Sequence, residues 1–435
     1  MTTPPRTLCS HLPSAAPGTA VTLEGWVHRR RELARITFVV LRDRSGFAQA
    51  VLPAGTAVPP EETTVRVTGT ATANEQAPGG VEVTDAVLEP LTEPAETSPA
   101  ELWRPSLDVS LPTLLDNAPV LWRHPAQRAR WQLAAASLRG FRSTLDALGF
   151  TEVTTPKVVG TATESGANVF PVDWFGRPAY LAQSPQFYKQ QLVGVFERVY
   201  EVGPVFRAEP HDTVRHLAEY RSLDVELGFV RDHREVLGVL RDVLAGMVEA
   251  AASEEAAVAS TGASLPVVSD EVPVIHFADA LALVGAAADE LDLAPEHERA
   301  LGAWALAEHG SDFLAVEGYP MAKRPFYTHP WTGDGPGTGP EALAKWSNSF
   351  DLLFRGLELV TGGQRLHRAS DYERAIRARG EDPAAYDAYL QAFRHGMPPH
   401  GGFAIGLERR VGRLVRAANI REVTLFPRDL NRLTP

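Results

Sequence analysis

The chain has 435 residues, 44% of them hydrophobic and 22% charged, with a net charge of −12. That length suits two or three domains with separate cores, no apolar run approaches the roughly 20 residues needed to span a bilayer, and the acidic balance argues against bulk, non-specific nucleic-acid binding. The one cysteine, Cys9, makes neither an internal disulfide nor a thiolate zinc site, which fits a reducing cytoplasm and no zinc. The start, Met1-Thr-Thr-Pro-Pro-Arg, lacks an apolar stretch of signal-peptide kind.

Residues 18–92 read as β structure. Val21-Thr-Leu-Glu-Gly-Trp-Val, Ile36-Thr-Phe-Val-Val-Leu, Ala48-Gln-Ala-Val-Leu, Thr64-Val-Arg-Val-Thr-Gly and Val81-Glu-Val-Thr-Asp-Ala-Val-Leu-Glu are rich in β-branched residues and separated by turn residues. Five short strands suit a small Greek-key barrel such as an OB-fold, although other small barrels fit too. Between Trp26 and Gly46 stand Arg29, Arg30, Arg31, Arg35, Arg42 and Arg44 against Glu32 and Asp43 alone. Taken by itself this run is a solvated basic strand edge.

Residues 93–119, with Glu93-Pro-Ala-Glu-Thr-Ser-Pro, read as a linker. From Ala126 to Leu148 the period turns helical, with Leu133, Leu138, Phe141, Leu145 and Leu148 on one side and a break at Gly149. The remainder mixes helices and strands without a βαβ rhythm, which predicts an α+β domain over residues 120–435. Within it, residues 234–311 are Ala- and Glu-rich and read as mostly helical. No Gly-x-Gly-x-x-Gly and no Walker loop occurs, so any ATP must sit on another platform.

Two segments concentrate polar chemistry. The first is a strand, Val199-Tyr-Glu-Val-Gly-Pro-Val-Phe-Arg-Ala-Glu, followed by a polar loop and a second strand, Ser222-Leu-Asp-Val-Glu-Leu-Gly-Phe. This hairpin gathers Arg207, Glu209, Arg215, His216, Asp224 and Glu226, charges that are costly to bury unless partners or ligands neutralise them. In the second, Gly401-Gly-Phe-Ala-Ile-Gly-Leu-Glu-Arg-Arg, Arg409 stands where a Gly-rich strand becomes a helix.

These segments resemble motifs 2 and 3 of the class II aminoacyl-tRNA synthetases, and Gly149-Phe-Thr-Glu-Val-Thr-Thr-Pro-Lys resembles motif 1, the dimer-forming helix–strand that ends in a proline, here Pro156. Gln183-Ser-Pro-Gln-Phe-Tyr-Lys-Gln, Phe206-Arg-Ala-Glu, Gly396-Met-Pro-Pro-His-Gly-Gly and Leu425-Phe-Pro-Arg-Asp narrow the likeness to the aspartyl-tRNA synthetases. The short interval between motifs 2 and 3 makes the chain similar to the compact, archaeal-like form. The resemblance implies an N-terminal OB-fold anticodon-binding domain over 1–92, a hinge over 93–119 and a class II catalytic domain, an antiparallel sheet flanked by helices, over 120–435.

It also implies a chemistry and its residues. Aspartate's α-carboxylate attacks the α-phosphate of ATP, and fixed cations are the largest lever on the charge that develops. By resemblance Arg207 grips the α-phosphate and the α-carboxylate, and Arg409 the γ-phosphate. Arg215 and His216 lie near the pyrophosphate end, and Tyr220 stands where the family usually has an adenine-stacking phenylalanine. Ala208, Glu209, Leu217, Gly406, Leu407 and Glu408 complete the ATP set. Glu358 and Thr361 are implied ligands of Mg²⁺ held with ATP. Lys189 and Arg365 are the implied readers of the aspartate side chain, with Glu164 and Asp224 on the ammonium. Gln186, Phe187 and Tyr188 belong to the same pocket, supported by Ser184 and Gln364. In the barrel, Phe38 and Gln49 match the pair that holds the middle anticodon base. Taken alone, Glu164 and Lys189 are surface charges, Arg409 a helix-surface arginine and Phe38 a core residue; the order of the motifs argues against that.

Three rivals share parts of this pattern. An asparaginyl-tRNA synthetase has the same architecture, but a cation at Lys189 suits aspartate. A non-catalytic paralogue usually lacks a motif arginine or the metal carboxylate, and Arg207, Glu358 and Arg409 are all present. An asparagine synthetase on the same fold is disfavoured by the barrel. His28 replaces the glutamine of strictly discriminating relatives, and the loop Asn74-Glu-Gln-Ala-Pro-Gly-Gly, with Pro78, lacks their lysine. Both features point toward charging tRNA(Asn) as well as tRNA(Asp), feeding a tRNA-dependent amidotransferase, from a cytoplasmic homodimer.

Overall fold

Inward and outward side chains alternate along much of the first five strands, which close into a barrel. The computed structural model describes residues 5–160, 168–332 and 345–435, so Glu164 lies outside the described residues. Strands β1 (Ala20–Glu32), β2 (Ile36–Arg42), β3 (Phe47–Pro53), β4 (Thr64–Ala73) and β5 (Val81–Pro90) close in the order β1-β2-β3-β5-β4. Val21, Leu23, Val39, Leu41, Ala48, Ala50, Val65 and Val67 fill its interior, as their two-residue spacing requires. This is the expected OB-fold class. The barrel belongs to a compact unit, Met1–Arg128. Within that unit, the residues read as a linker include helix α1 (Leu111–Asp116), capped by the Ser110 hydroxyl, and the start of α2 (Ala118–Leu121). Leu102, Leu114 and Leu121 pack there into a small apolar cluster.

The second unit, Ala129–Pro435, is built on an eight-stranded sheet. Helix α3 (Pro125–Ala147) ends just before Gly149, whose φ of +78° no β-substituted residue adopts cheaply. The sheet strands are β6 (Thr151–Glu152), β10 (Arg198–Phe206), β11 (Glu219–Gly228), β12 (Val274–His276), β13 (Phe313–Glu317), β14 (Ser349–Phe354), β15 (Glu358–Gln364) and β16 (His400–Gly406). Their order is β12-β13-β14-β15-β16-β11-β10-β6, antiparallel except at β12–β13 and β10–β6. A separate three-stranded sheet, β7 (Val158–Val159), β9 (Arg177–Leu181) and β8 (Pro171–Trp174), precedes helix α4 (Gln186–Phe196).

The Ala-rich segment forms helices α5 (His233–Ala252), α6 (Glu255–Thr261), α7 (Phe277–Val284) and α8 (Pro295–His309). It also contains β12, which its composition hid. After β15 come α9 (Ala369–Ala378) and α10 (Asp387–Arg394), and α11 (Leu407–Leu414) follows β16. The main core lies between the sheet and α3, α5 and α11, through Phe141, Leu145, Leu240, Leu244, Phe350, Phe403 and Val411. Among the described residues no helix is long and apolar enough to cross a membrane. The sheet's other face, with the β10–β11 loop, carries the polar residues.

Candidate active site

A cavity of about 450 Å³ opens over β11, β15 and β16. Strand alternation explains one wall: Ser222, Asp224 and Glu226 occupy every second position of β11 and so share a face. Helix α4 supplies the cation opposite. Its buried positions Gln186, Lys189, Gln190 and Val193 recur at helical spacing, so Lys189 points inward. With its side chain 2% exposed, Lys189 donates to Asp224 Oδ1 at 3.0 Å and to the carbonyls of Val225 (3.3 Å) and Phe403 (3.2 Å). Its Nζ also lies 3.3 Å from Glu226 Oε2.

Arg365, just past β15, donates from Nε to Glu226 Oε1 at 3.0 Å and from Nη2 to the Gly402 carbonyl at 3.0 Å. Glu226 is fully buried; burial alone raises its pKa, but Arg365 and Lys189 outweigh that and hold it below the usual carboxylate range. Gly402 makes this arrangement possible, since a Cβ there would stand 2.2 Å from Glu226 Oε2. Ser222 Oγ donates to Asp224 Oδ2 at 2.5 Å. Two cations and two carboxylates thus alternate at the buried end of the cavity, Glu226 lying just behind its lining, and each is partly paired, so none bears the full cost of a lone buried charge.

The other end is more open. Arg409, in the first turn of α11, donates from Nη1 to the Glu358 carbonyl at 3.1 Å and lies 3.3 Å from Glu358 Oε1, with the side chains 29% and 40% exposed. Arg207 Cζ sits 6.0 Å from the centre of the Tyr220 ring. Arg215 lies 3.6 Å from Glu298 Oε2, and His216 Nδ1 is 2.6 Å from Thr213 Oγ1. Burial, then the Arg409 charge, lowers the His216 pKa. Glu408 accepts the Arg221 N–H at 3.0 Å, and burial pushes its pKa up to about 7.

Of the residues expected from the sequence, Gln186, Lys189, Arg207, Glu209, Arg215, His216, Leu217, Tyr220, Asp224, Glu358, Thr361, Arg365, Gly406, Glu408 and Arg409 line this cavity, as does Ser184. Phe187 does not: its ring stacks on Tyr389 at 4.4 Å in an aromatic cluster below. Leu407 faces the main core. Tyr188 and Ala208 are half-buried outside the lining. Gln364 backs the site, its Oε1 accepting from Asn348 at 2.8 Å.

Three groups at the site carried no role in the sequence reading. Glu226 had a signal, the two-residue step from Asp224 along one strand. Arg324 and Asp351 had none, because their ion pair at 3.0 Å joins a segment outside the strands to β14. Asp351 stands opposite Thr361 across β14–β15; its buried Oδ1 has no hydrogen bond of good geometry, although the Thr361 hydroxyl is near enough to lower its pKa. Burial raises its pKa, Glu358 adds to this, and Arg324 opposes it.

In the barrel, Phe38 and Gln49 share the outer face of β2–β3, where Phe38 faces Val51 and Gln49 faces Val40. Gln49 Nε2 donates to Glu82 at 2.8 Å. His28 sits at a bulge in β1 and is 8% exposed; its Nδ1 is 3.3 Å from Arg42 Nη1 and its ring 4.8 Å from that of Phe47. Arg42 in turn holds Glu62 through both nitrogens, at 2.8 and 2.7 Å. Burial and then Arg42 lower the His28 pKa to about 4. Pro78 is exposed at the start of a short turn of 3-10 helix.

Residues 111–430 match the family of tRNA synthetases class II (D, K and N), and residues 21–91 match an OB-fold nucleic acid binding domain. The chain is 44% identical to the aspartate–tRNA(Asp/Asn) ligase of Deinococcus radiodurans over the whole of both chains. It is 45% identical to the ligase of the same name from Thermus thermophilus, covering 96% of this chain and 97% of that one. Among solved structures, it is similar to asparaginyl-tRNA synthetase from Pyrococcus horikoshii complexed with asparaginyl-adenylate, with a TM-score of 0.88, 28% identity and 99% of each chain covered. The aspartyl-tRNA synthetase of Entamoeba histolytica superposes with a TM-score of 0.82 at 27% identity, over 99% of this chain and 92% of that one.

Proposed function

Since the chain belongs to the class II tRNA synthetases of the D, K and N group, we propose that it ligates L-aspartate to both tRNA(Asp) and tRNA(Asn) through an aspartyl-adenylate. The observation that carries the choice of amino acid is the buried quartet Lys189, Arg365, Asp224 and Glu226. A side-chain carboxylate entering the buried end meets Lys189 and Arg365, and the guanidinium can hold it with two parallel hydrogen bonds. Asp224 takes the ammonium. A neutral amide leaves part of this charge unanswered, which is how a built polar pocket rejects an isostere. The relatives named for both tRNAs support the double acceptor range.

The remaining groups then have defined work. Arg207 brings the α-carboxylate and the α-phosphate together and stabilises charge on the phosphate as the oxygen attacks, while Tyr220 stacks on adenine. Arg409, Arg215 and His216 hold the far phosphates, and pyrophosphate leaves past them. The residues fit a hard cation brought in with ATP: the orphaned Oδ1 of Asp351, the Glu358 carboxylate and the Thr361 hydroxyl are all oxygen donors. No group of three or more His, Cys, Asp or Glu forms a cage among the described residues, so phosphate oxygens and water would complete the shell. Bound there, Mg²⁺ supplies electrophilic neutralisation of the phosphates. Two copies of the chain joined through residues 149–157 complete the reading, and an amidotransferase acts on the Asp-tRNA(Asn) formed.

Charging purified tRNA(Asp) and tRNA(Asn) side by side with labelled aspartate tests the proposal. Both should be acylated with comparable kcat/KM. Refusal of tRNA(Asn) removes the double range, and failure with both removes the ligase reading.

A further inference from the structure

The Ala-rich segment between the second and third motifs sends one carboxylate toward the triphosphate end. Glu298 stands in the first turn of α8 and is 6% exposed. Its Oε2 accepts the backbone N–H of Glu358 at 2.8 Å and lies 3.6 Å from Arg215 Nη1. Glu358 in turn receives Arg409 through its carbonyl and carboxylate. One carboxylate therefore touches the start of β15 and the loop between β10 and β11 directly, and reaches the first turn of α11 through one intermediate.

The helix that carries it is fixed by backbone contact. A Cβ on Gly302 would lie 2.4 Å from the Gly356 nitrogen, and one on Gly356, at φ +69°, would lie 2.9 Å from Arg299 Cα. Helix α8 is thus seated against the turn just before Glu358, and the Glu298 carboxylate has little room to wander. The contacts also differ in kind. The bond to the Glu358 N–H has full hydrogen-bond length, whereas 3.6 Å to Arg215 restrains the guanidinium without locking it.

We propose that Glu298 is a positioning residue for the triphosphate half of the site, setting the Glu358 backbone and the Arg215 side chain together. This rests on the reading of Arg215, Glu358 and Arg409 as ATP-binding groups. Glu298 touches no substrate; it aims the groups that do. A charge partner on a flexible arginine reduces the conformations that must be given up when a phosphate arrives.

The test is calorimetric titration of the full chain with MgATP, alongside aspartate-dependent ATP–pyrophosphate exchange, for wild type, Glu298→Ala and Glu298→Gln. Glu298→Ala should weaken MgATP about tenfold while the aspartate KM stays within about twofold. Glu298→Gln keeps an oxygen for the Glu358 N–H but no charge for Arg215, so it should fall between. Adding Arg215→Leu to Glu298→Ala should cost less than the two separate losses combined, because the residues act as a unit. MgATP affinity unchanged in Glu298→Ala overturns the proposal. So does parallel weakening of ATP and aspartate with a lowered melting temperature and no rescue by Gln. A wild type that binds MgATP but shows no aspartate-dependent exchange sinks the aspartate reading instead, and the titrations still judge Glu298.

Discussion

The two ends of the cavity treat charge differently. At the end proposed for the amino acid, Lys189, Asp224, Glu226 and Arg365 are each no more than 6% exposed and bound to one another or to backbone carbonyls. At the end proposed for the triphosphate, Arg409 and Glu358 are 29% and 40% exposed and lie 3.3 Å apart. On the proposed function, the difference follows from what each end must do. A small ligand that differs from its rival by one amide is told apart only by donors and acceptors that cannot rearrange. A triphosphate brings several negative charges and must leave as pyrophosphate, so its cations work better half-solvated and adjustable.

The largest expected effect breaks the buried end. Lys189→Leu removes the cation between two buried carboxylates and should lower kcat/KM for aspartate by about 2–5 kcal/mol, with the ATP KM within about twofold. Steady-state exchange kinetics on protein shown to be folded will decide; an aspartate KM and kcat that barely move would remove Lys189 from the pocket.

An ion cluster around a buried carboxylate outside the cavity sharpens the comparison. Glu317 accepts from His233 at 2.7 Å and from Arg234 at 2.6 Å, and although burial opposes it, these partners bring its pKa down to about 2. Because the folded value is depressed, its stabilisation is fully present above the unfolded carboxylate pKa near 4.5 and is lost as pH falls from there toward 2. Glu317→Gln should cost about 3 kcal/mol at neutral pH and flatten the acid unfolding curve over that window, with both substrate KM values unchanged. Denaturant melts between pH 2 and 7 measure this; an unaltered acid profile would show that the cluster does not hold Glu317 as described.

In the barrel, His28 is tied to Arg42 and Phe47, whereas Pro78 is exposed. The two anticodons differ only at the third base, so if Phe38 and Gln49 read the shared middle base, as the resemblance implies, they cannot separate the two tRNAs. His28→Gln with Pro78→Lys should lower charging of tRNA(Asn) relative to tRNA(Asp) by about 1–3 kcal/mol, with adenylate formation untouched. Equal losses on both tRNAs would count against these positions.

The smallest effect is ionic. Raising salt from 0.05 to 0.5 M, roughly the range over which the Debye length falls from about 14 to about 4 Å, should raise the ATP KM more than the aspartate KM. Equal sensitivity of the two would erase the contrast between the ends.

Much of this was legible in the sequence where local rules decide. The barrel followed from alternation and α3 from its 3.6-residue period. Lys189 and Arg409 followed from motif order, which also fixed the catalytic fold. What escaped depended on tertiary contact. Phe187 and Leu407 belong to matching motifs, yet their helices turn them into apolar clusters, because neighbours of a site residue on a helix face other ways. Strand β12 is three residues inside an Ala-rich run and is held by parallel pairing to β13, which no local pattern announces. Asp351 and Arg324 meet across 27 positions, beyond any spacing rule.

The most direct measurement is the amino-acid specificity of ATP–pyrophosphate exchange without tRNA. If the buried quartet reads a carboxylate, aspartate should support Mg²⁺-dependent exchange with a kcat/KM at least about 10³-fold above that for asparagine. Exchange supported by asparagine as well as or better than by aspartate would contradict the account at its centre.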